Sequence, residues 1–155
     1  MYQRILVPVD GSSTSSKGLD EAIKLAMLTG ASLRLLHVVD PLTFATGFEV
    51  YGAYAADLIP KMREFGAQIL QEARTRVQQQ NVQVDCMLFD NRPERLSEIV
   101  AEQVSQWPAD LIVIGTHGRR GVGRMLLGSD AEQIVRTAPV PVLLVRAPED
   151  KSRPD

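Results

Sequence analysis

Apolar residues along this chain fall into five short runs that are rich in branched side chains. The runs occupy residues 5–9, 33–39, 82–89, 111–114 and 140–145. Runs of this length without a regular polar alternation are typical of strands buried on both faces of a parallel sheet. The pattern therefore predicts five buried strands.

Between the runs, apolar residues recur at the three- to four-residue spacing of one helix face. They are Leu19, Ala22, Ile23 and Ala26 in the first segment, Leu58, Met62, Phe65, Ile69, Ala73 and Val77 in the second, Leu96, Ile99, Val100 and Val104 in the third, and Ile134 and Val135 in the fourth. Strands alternating with helices predict right-handed crossovers and a parallel sheet covered on both sides. The predicted fold class is α/β, a doubly wound, Rossmann-like sheet of five parallel strands with helices on both faces.

Residues that commonly border helices agree with these segments. Gly30 follows the first helix, Pro93 stands near the start of the third, and Pro139 follows the fourth. Ser129 and Glu132 have the spacing of a capping box, so Ser129 is predicted to be the N-cap of the last helix.

The length of 155 residues suits one domain, which we assign to residues 1–147. Residues 40–57 carry four aromatic side chains without a clear period, and we interpret them as a long loop or lid. The charged, proline-containing residues 148–155 are predicted to be a disordered tail.

Composition restricts the classes of function. The net charge of −2 gives no general attraction for nucleic acid or an anionic membrane, so neither is expected as a partner. The lone Cys86 cannot form an internal disulfide and is expected to be a small buried apolar residue. The N-terminal residues lack the apolar core of a signal peptide, and no run has the length of a membrane span, so the expected location is the cytoplasm.

Candidate chemistry lies in two loops at the carboxyl ends of strands, where open α/β sheets bind ligands. The loop after strand one, Pro8-Val9-Asp10-Gly11-Ser12-Ser13, offers a carboxylate, a glycine and hydroxyls at a helix start. The loop after strand four is rich in glycine and leads into a helix N-terminus, which favours an anion. Together they predict a phosphate site opposite an acidic residue.

The spacing in the second loop is the most specific feature of the sequence. Gly115, Gly118 and Gly128-Ser129 form the pattern G-x2-G-x9-G-[ST]. Together with ILVPVDGS, LLHVVD, ADLIVIGTHGRRGVGRMLLGS and PVPVLLV, this pattern resembles the ATP-binding branch of the universal stress protein family. The resemblance covers nearly the whole chain.

The resemblance implies strand order 3-2-1-4-5 and a nucleotide between the loops after strands one and four. It implies that Val9 and Asp10 lie beside the adenosine, that Val38 contacts adenine through its backbone, and that the glycine loop wraps the phosphates. Asp10 is the implied ligand of Mg²⁺ or Mn²⁺. The full set assigned to the nucleotide is Pro8, Val9, Asp10, Val38, Gly115, Thr116, His117, Gly118, Arg119, Gly128 and Ser129.

The implied function is that of an ATP-binding sensor or regulator of the stress response, with AMP or ADP as other possible ligands and an unidentified regulatory protein as partner. The last strand lies at a sheet edge in the implied order, and pairing of two copies there predicts a homodimer. Two alternatives stay open. One is a slow ATPase or phosphotransfer protein, and the other is a dimeric interaction protein that binds no nucleotide.

Several residues allow more than one interpretation. Arg119, Arg120 and Arg124 either clamp phosphates or form a solvated basic loop. Asp130 is expected to repel a triphosphate or to point outward and favour the helix dipole. The stretch Asn91-Arg92-Pro93 departs from the family pattern and is expected to change loop shape more than ligand binding.

His37 and His117 have no third ligand at metal spacing, so a zinc site built by the protein is not expected. The sequence has no nucleophile elbow and no P-loop.

Overall fold

The computed structural model of the chain describes residues 1–40, 55–90, 92–116 and 127–146. Five strands and four helices lie in these ranges. They are β1 (Arg4–Pro8), α1 (Ser13–Thr29), β2 (Ser32–Val38), α2 (Ala55–Gln78), β3 (Val84–Phe89), α3 (Leu96–Gln106), β4 (Leu111–Gly115), α4 (Ser129–Thr137) and β5 (Val142–Val145). The predicted alternation of strands and helices is confirmed.

All strand pairs are parallel, and the sheet order is β3-β2-β1-β4-β5. The expected order is therefore confirmed. The chain leaves β1 toward β2 on one side, whereas β4 lies on the other side of β1. The carboxyl ends of β1 and β4 thus form the point at which the order reverses, the usual place for a ligand in such sheets.

Two apolar cores cover the sheet, one on each face. On the face of α1 and α2, the strands contribute Ile5, Val7, Leu33, Leu35, Leu111 and Val113, and Val9 joins them just after β1. On the face of α3 and α4, they contribute Leu6, Leu36, Ile112 and Ile114. Successive strand residues point to opposite faces, and both faces of β1 and β4 are covered, so apolar side chains are favoured at successive positions of these two strands. This preference accounts for the unbroken apolar runs at β1 and β4.

Side-chain and backbone caps define α1. The Ser12 hydroxyl accepts a hydrogen bond from the backbone of Ser15 at the N-terminus. Gly30 ends the helix in the left-handed region, with φ of +74°, and its N–H donates to the Ala26 carbonyl. The predicted end of the first helix at Gly30 is therefore confirmed.

The prediction that every strand is buried on both faces is wrong for β3 and β5. Residues of these two strands are partly exposed because both lie at sheet edges. Cys86 of β3 is accordingly only half-buried, although desolvation still raises the pKa of its thiol, with the charge of Arg74 opposing. Two apolar positions of the helix patterns are also exposed in the structure, Phe65 of α2 and Val135 of α4.

Two predicted boundaries also differ from the structure: the start of the last helix and the end of the predicted lid at residues 40–57. The N-cap of α4 is Gly128, and Ser129 is the first helical residue, because the N–H of Glu132 donates to the Gly128 carbonyl at 2.9 Å. Residues 55–57 belong to α2 rather than to a loop. Residues 41–54 of the proposed lid and the proposed tail 148–155 lie outside the described residues.

Candidate functional site

The turn after β1 is held by hydrogen bonds among its own residues. The Asp10 carboxylate accepts from the N–H of Ser12 at 2.8 Å, and the N–H of Asp10 donates to the Ser15 hydroxyl at 3.1 Å. Gly11 has a φ of +80°, in the left-handed region that glycine adopts at little cost. These contacts fix the half-buried Asp10 at the carboxyl end of β1, beside the first turn of α1.

The glycine loop begins and ends at positions joined by a hydrogen bond. Thr116 is buried, its N–H donates to the Val145 carbonyl at 3.0 Å, and its own carbonyl accepts from the N–H of Gly128 at 2.8 Å. The N-cap of α4 is Gly128, which has no side chain, and Ser129 and Asp130 of the first turn are exposed. The first turn of α4 therefore lies next to the end of β4 with backbone N–H groups that favour an anion.

A close backbone contact joins the two loops. A Cβ added to Gly115 would lie 2.7 Å from the carbonyl carbon and oxygen of Thr14 and 2.9 Å from the nitrogen of Ser15. One turn further along α1, a Cβ on Gly18 would lie 3.3 Å from the nitrogen of Gly115. The start of α1 thus packs directly on the end of β4. Gly115 has a structural role here beyond the ligand role predicted for it.

The end of β2 lies beside the same turn. The N–H of Val9 donates to the Leu36 carbonyl at 2.8 Å, and the Val9 carbonyl lies 2.7 Å from Nδ1 of His37. Pro8 and Val9 are buried, whereas Val38 is partly exposed at the strand end. The structure therefore brings Pro8, Val9, Asp10 and Val38 to one edge of the sheet, together with Gly115, Thr116, Gly128 and Ser129.

Three of the predicted ligand residues, His117, Gly118 and Arg119, lie outside the described residues. The same holds for Arg120, Arg124 and Asn91. Sequence reasoning missed three positions that shape this edge. Gly18 was available as an isolated glycine inside a helical pattern, which commonly marks close packing. Gly66 carried the same signal in the second helical pattern, whereas the contact of His37 with Val9 had no signal in the sequence.

The loop after β3 contains a cationic side chain that is already neutralised. Arg92 donates to Glu94 at 2.9 Å and to Glu102 at 2.7 Å, and its guanidinium lies 5.7 Å from the ring centre of Phe89. The hydrogen bond from Arg92 holds the pKa of Glu94 below its usual range, and the bonds to Glu94 and Glu102 raise the pKa of Arg92. Arg92 therefore supports the loop and α3.

Two surface cavities lie along α1. The larger, of about 430 Å³, lies at the opposite edge of the sheet and is lined by Gly30, which follows α1, and by Asn81, which follows α2. A smaller one of about 120 Å³ lies between α1 and α2 next to Gly11 and Ser12, and its Arg76 is bound to Ser16 and Asp20. Because parallel sheets bind ligands at strand carboxyl ends, the β1–β4 edge is the stronger candidate.

Metal-site clusters and membrane-spanning helices are both absent from the described part of the chain. In that part, no three His, Cys, Asp or Glu side chains come together as a metal site. Likewise, none of the helices described is long and apolar enough to span a bilayer.

Comparison with known proteins identifies the family. The sequence model of the universal stress protein family matches residues 1–146. The chain belongs to this family. It is 33% identical over 150 residues to a universal stress protein of Methanocaldococcus jannaschii, covering 96% of this chain and 85% of that protein. A family member from Burkholderia pseudomallei has a similar crystal structure, with a TM-score of 0.75 and 33% identity over 94% of this chain and 97% of that one.

Some solved members of the family hold adenine nucleotides. One from Archaeoglobus fulgidus is in complex with dAMP, with a TM-score of 0.64 and 20% identity over 93% of this chain and 98% of that one. One from Arabidopsis thaliana has AMP bound, with a TM-score of 0.68 and 16% identity over 99% of this chain and 97% of that one. A third is in complex with cAMP, with a TM-score of 0.63 and 23% identity over 94% of this chain and 97% of that one. At these identities the likeness to this chain concerns the fold.

Proposed function

We propose that this universal stress protein binds an adenine nucleotide at the carboxyl edge of its sheet, between the loops after β1 and β4. The observation that carries the proposal is the N-terminus of α4, whose N-cap is Gly128, a residue without a side chain, and which is tied to the end of β4 through Gly128 and Thr116. Such a terminus favours phosphate. The AMP, dAMP and cAMP complexes of relatives with this fold support adenine as the base.

The proposed pose assigns each part of the ligand to one group of residues. The phosphates lie against Gly128, Ser129 and the predicted loop residues from Gly115 to Arg119. The adenosine lies beside Pro8, Val9 and Asp10, and adenine meets the backbone of Val38. The sheet supports this division, because the ends of β2, β1 and β4 lie side by side in that order.

ATP is the proposed ligand, with ADP and AMP as alternatives, and Mg²⁺ or Mn²⁺ accompanies the phosphates. Magnesium in nucleotide sites is commonly held by one or two carboxylates together with phosphate oxygens and water. Asp10 is the carboxylate proposed for this position. Its Oδ1 is oriented by the N–H of Ser12 at 2.8 Å. A single protein carboxylate is therefore sufficient for metal-linked binding.

The proposed biological role is regulation of the stress response in the cytoplasm, in which nucleotide occupancy changes a surface read by a protein partner. A slow ATPase is the second candidate. Phosphoryl transfer requires positioned charges on the γ-phosphate and a group that orients the nucleophile. Asp10 is assigned to the metal, and no side chain is assigned here to orienting a nucleophile, so binding is the preferred function.

We further propose that two copies pair through β5. The N–H of Ile112 donates to Pro141 and that of Thr116 donates to Val145, so alternate peptide groups of β5 face β4. The peptide groups of Val142 and Leu144 therefore face away from the sheet. An exposed edge of this kind is readily satisfied by a second strand, and a two-fold axis would join the two copies antiparallel.

The nucleotide proposal is tested by mass spectrometry of ligand released from purified protein, followed by calorimetry with ATP, ADP and AMP. For the wild type, the ATP affinity measured with magnesium present should differ from the affinity measured with a chelator present. Asp10→Asn should remove most of that difference while retaining metal-free binding. Equal magnesium dependence in the folded variant would remove Asp10 as the metal ligand. Sustained turnover of about 1–100 per second, as in kinases, would favour the enzyme instead.

A further inference from the structure

His37 is a buried polar side chain of β2, one residue before Val38 of the proposed site. It lies on the α1 and α2 face of β2 with 6% of its surface exposed. Its Nδ1 is 2.7 Å from the carbonyl oxygen of Val9. A carbonyl oxygen only accepts hydrogen bonds, so Nδ1 must carry the proton in this contact. The ring therefore donates to the last peptide group before Asp10.

This contact changes how the ladder between β1 and β2 ends. The N–H of Val9 donates to Leu36, so the peptide group of Leu36 faces β1. The N–H of Val39 donates to Phe89, so the peptide groups at odd positions face β3. The peptide group of Val38 consequently faces the β1 side. A continued parallel ladder would join the N–H of Val38 to the Val9 carbonyl. Among the described residues that bond is not made, and the Val9 carbonyl is bound by the His37 ring instead.

Gly66 of α2 holds the imidazole from its other side. A Cβ added to Gly66 would lie 2.6 Å from Cδ2 and 2.9 Å from Nε2 of His37. Gly66 is buried and lies inside a long helix, where glycine is otherwise unfavourable. The missing side chain creates the space that the ring occupies. The imidazole is thus confined between α2 and the Val9 carbonyl.

We propose that His37 is a positioning residue for the nucleotide base. By holding the Val9 carbonyl, it ends the β1–β2 ladder before Val38 and leaves the N–H and C=O of Val38 facing the crevice. This donor and acceptor match the N1 acceptor and the N6 amino donor of adenine. Guanine presents a donor at N1 and an acceptor at O6, the opposite polarity, so the same edge disfavours it. The inference rests on the proposed nucleotide site and adds its base specificity.

The test compares variants that place a donor differently. His37→Asn keeps a donor near the position of Nδ1, His37→Gln moves it toward the position of Nε2, and His37→Leu removes it. Hydrogen exchange of the Val38 amide in nucleotide-free protein shows whether this N–H is bonded to the Val9 carbonyl. Calorimetry with AMP and GMP measures the preference for adenine over guanine. Gln103→Met, in the buried part of α3 on the opposite face, controls for general destabilisation.

We expect fast Val38 exchange in the wild type and in His37→Asn, with AMP affinities within about threefold of each other. In His37→Gln and His37→Leu, the Val9 carbonyl is released to Val38. The Val38 amide should then exchange more slowly, and AMP should bind about five- to tenfold more weakly, the usual effect of one lost hydrogen bond. The preference for AMP over GMP should fall in parallel. Gln103→Met should change none of these readouts.

Unchanged Val38 exchange and unchanged base preference in folded His37→Gln would overturn the inference. If His37→Leu fails to fold, the Asn and Gln pair decides the question by itself. A wild type that binds neither AMP nor ATP would overturn the proposed function and the base-specificity role together. The Val38 exchange data would then still show separately whether His37 ends the ladder.

Discussion

Gly115 at the end of β4 lies directly against the backbone of Thr14, and a Cβ on Gly115 would be 2.7 Å from the Thr14 carbonyl group. Real Cβ atoms do not approach backbone atoms this closely, so only glycine fits. The contact fixes the start of α1 against the end of β4. The first loop of the proposed site ends at α1 and the second begins at β4, so this packing sets the spacing of the two loops before any ligand binds.

Gly115→Ala should lower the free energy of unfolding by about 1–3 kcal/mol, the usual cost of forcing an extra methyl group into a packed site. A decrease in the free energy of unfolding would be informative, because glycine weakens the interior of a strand and alanine would otherwise be expected to stabilise it. Gly18→Ala, on the other side of the same contact, is the matched control. Its Cβ would be 3.3 Å from the nitrogen of Gly115. The gain in helix propensity of about 1 kcal/mol should offset most of that strain.

Urea denaturation of the two variants measures the difference. Gly115→Ala should be the less stable variant by at least about 1 kcal/mol, a difference of roughly fivefold in the unfolding equilibrium. If Gly115→Ala is as stable as the wild type, the backbone contact is looser than the structure indicates, and the loop spacing must have another cause.

Gly66 and His37 should behave as a coupled pair in stability. Gly66→Ala alone should destabilise the protein by about 1–3 kcal/mol, because its methyl group would displace the imidazole. In the His37→Asn background the shorter side chain vacates the space of Cδ2 and Nε2. Alanine at position 66 should then be neutral or stabilising by up to about 1 kcal/mol through helix propensity.

A double-mutant cycle from urea denaturation gives the coupling energy. A value of about 1 kcal/mol or more, with the double variant more stable than the sum of the single changes, is the expected outcome. Additive effects of the two substitutions would show that Gly66 does not confine the ring.

The Arg92–Glu94 pair gives a pH dependence with a definite sign. The hydrogen bond from Arg92 lowers the pKa of Glu94 in the folded state. The contribution of Glu94 to stability is therefore fully present above the unfolded pKa of about 4.3 and is lost as the pH falls through the lower folded value. Replacing Arg92 by glutamine should return the pKa of Glu94 toward its ordinary value.

NMR titration of the Glu94 carboxyl carbon in wild type and Arg92→Gln measures this shift. The stability difference between the two proteins should be constant near neutral pH and shrink in the acid range, where Glu94 becomes protonated. Identical titration midpoints in both proteins would refute the predicted role of Arg92.

The proposed dimer interface depends on backbone groups of β5. Val142→Pro removes an N–H that faces away from β4 and should leave the ladder to β4 intact, as proline tolerates an edge position. The variant should sediment as a monomer at micromolar concentration, whereas the wild type should sediment as a dimer. Val135→Ser, an exposed residue of α4, tests whether that helix also contributes. A monomeric wild type would rule out the interface.

Local pattern was sufficient to predict much of the fold. The central strands β1 and β4 favour apolar side chains on both faces, and their unbroken runs led to the doubly wound sheet. The sequence pattern did not reveal that β3 and β5 lie at the edges of the sheet, because both are nearly as apolar as the central strands although both are partly exposed. Apolar composition reports a preference for burial. It does not report whether a neighbouring strand is available.

Long-range contacts explain the remaining differences at the site. Ser129 has the side chain of an N-cap, but the hydrogen bond from Gly128 to Thr116 sets the start of α4 one residue earlier. Gly115 was predicted from its motif as a ligand residue, while its contact with Thr14 depends on how α1 crosses the sheet. The environment of His37 likewise depends on α2, which is distant in sequence. The ligand roles of these residues stay predictions.

Calorimetry of the purified, nucleotide-free chain with magnesium ATP and with AMP tests the central claim most directly. Gly118→Val tests the glycine loop, and Gly30→Ala, at the opposite edge of the sheet, serves as the glycine control. We predict saturable binding of one adenine nucleotide per chain in the wild type and in Gly30→Ala, and affinity at least tenfold weaker in Gly118→Val, about 1.4 kcal/mol or more. Absence of saturable binding to the wild type, or undiminished binding to folded Gly118→Val, would contradict the account.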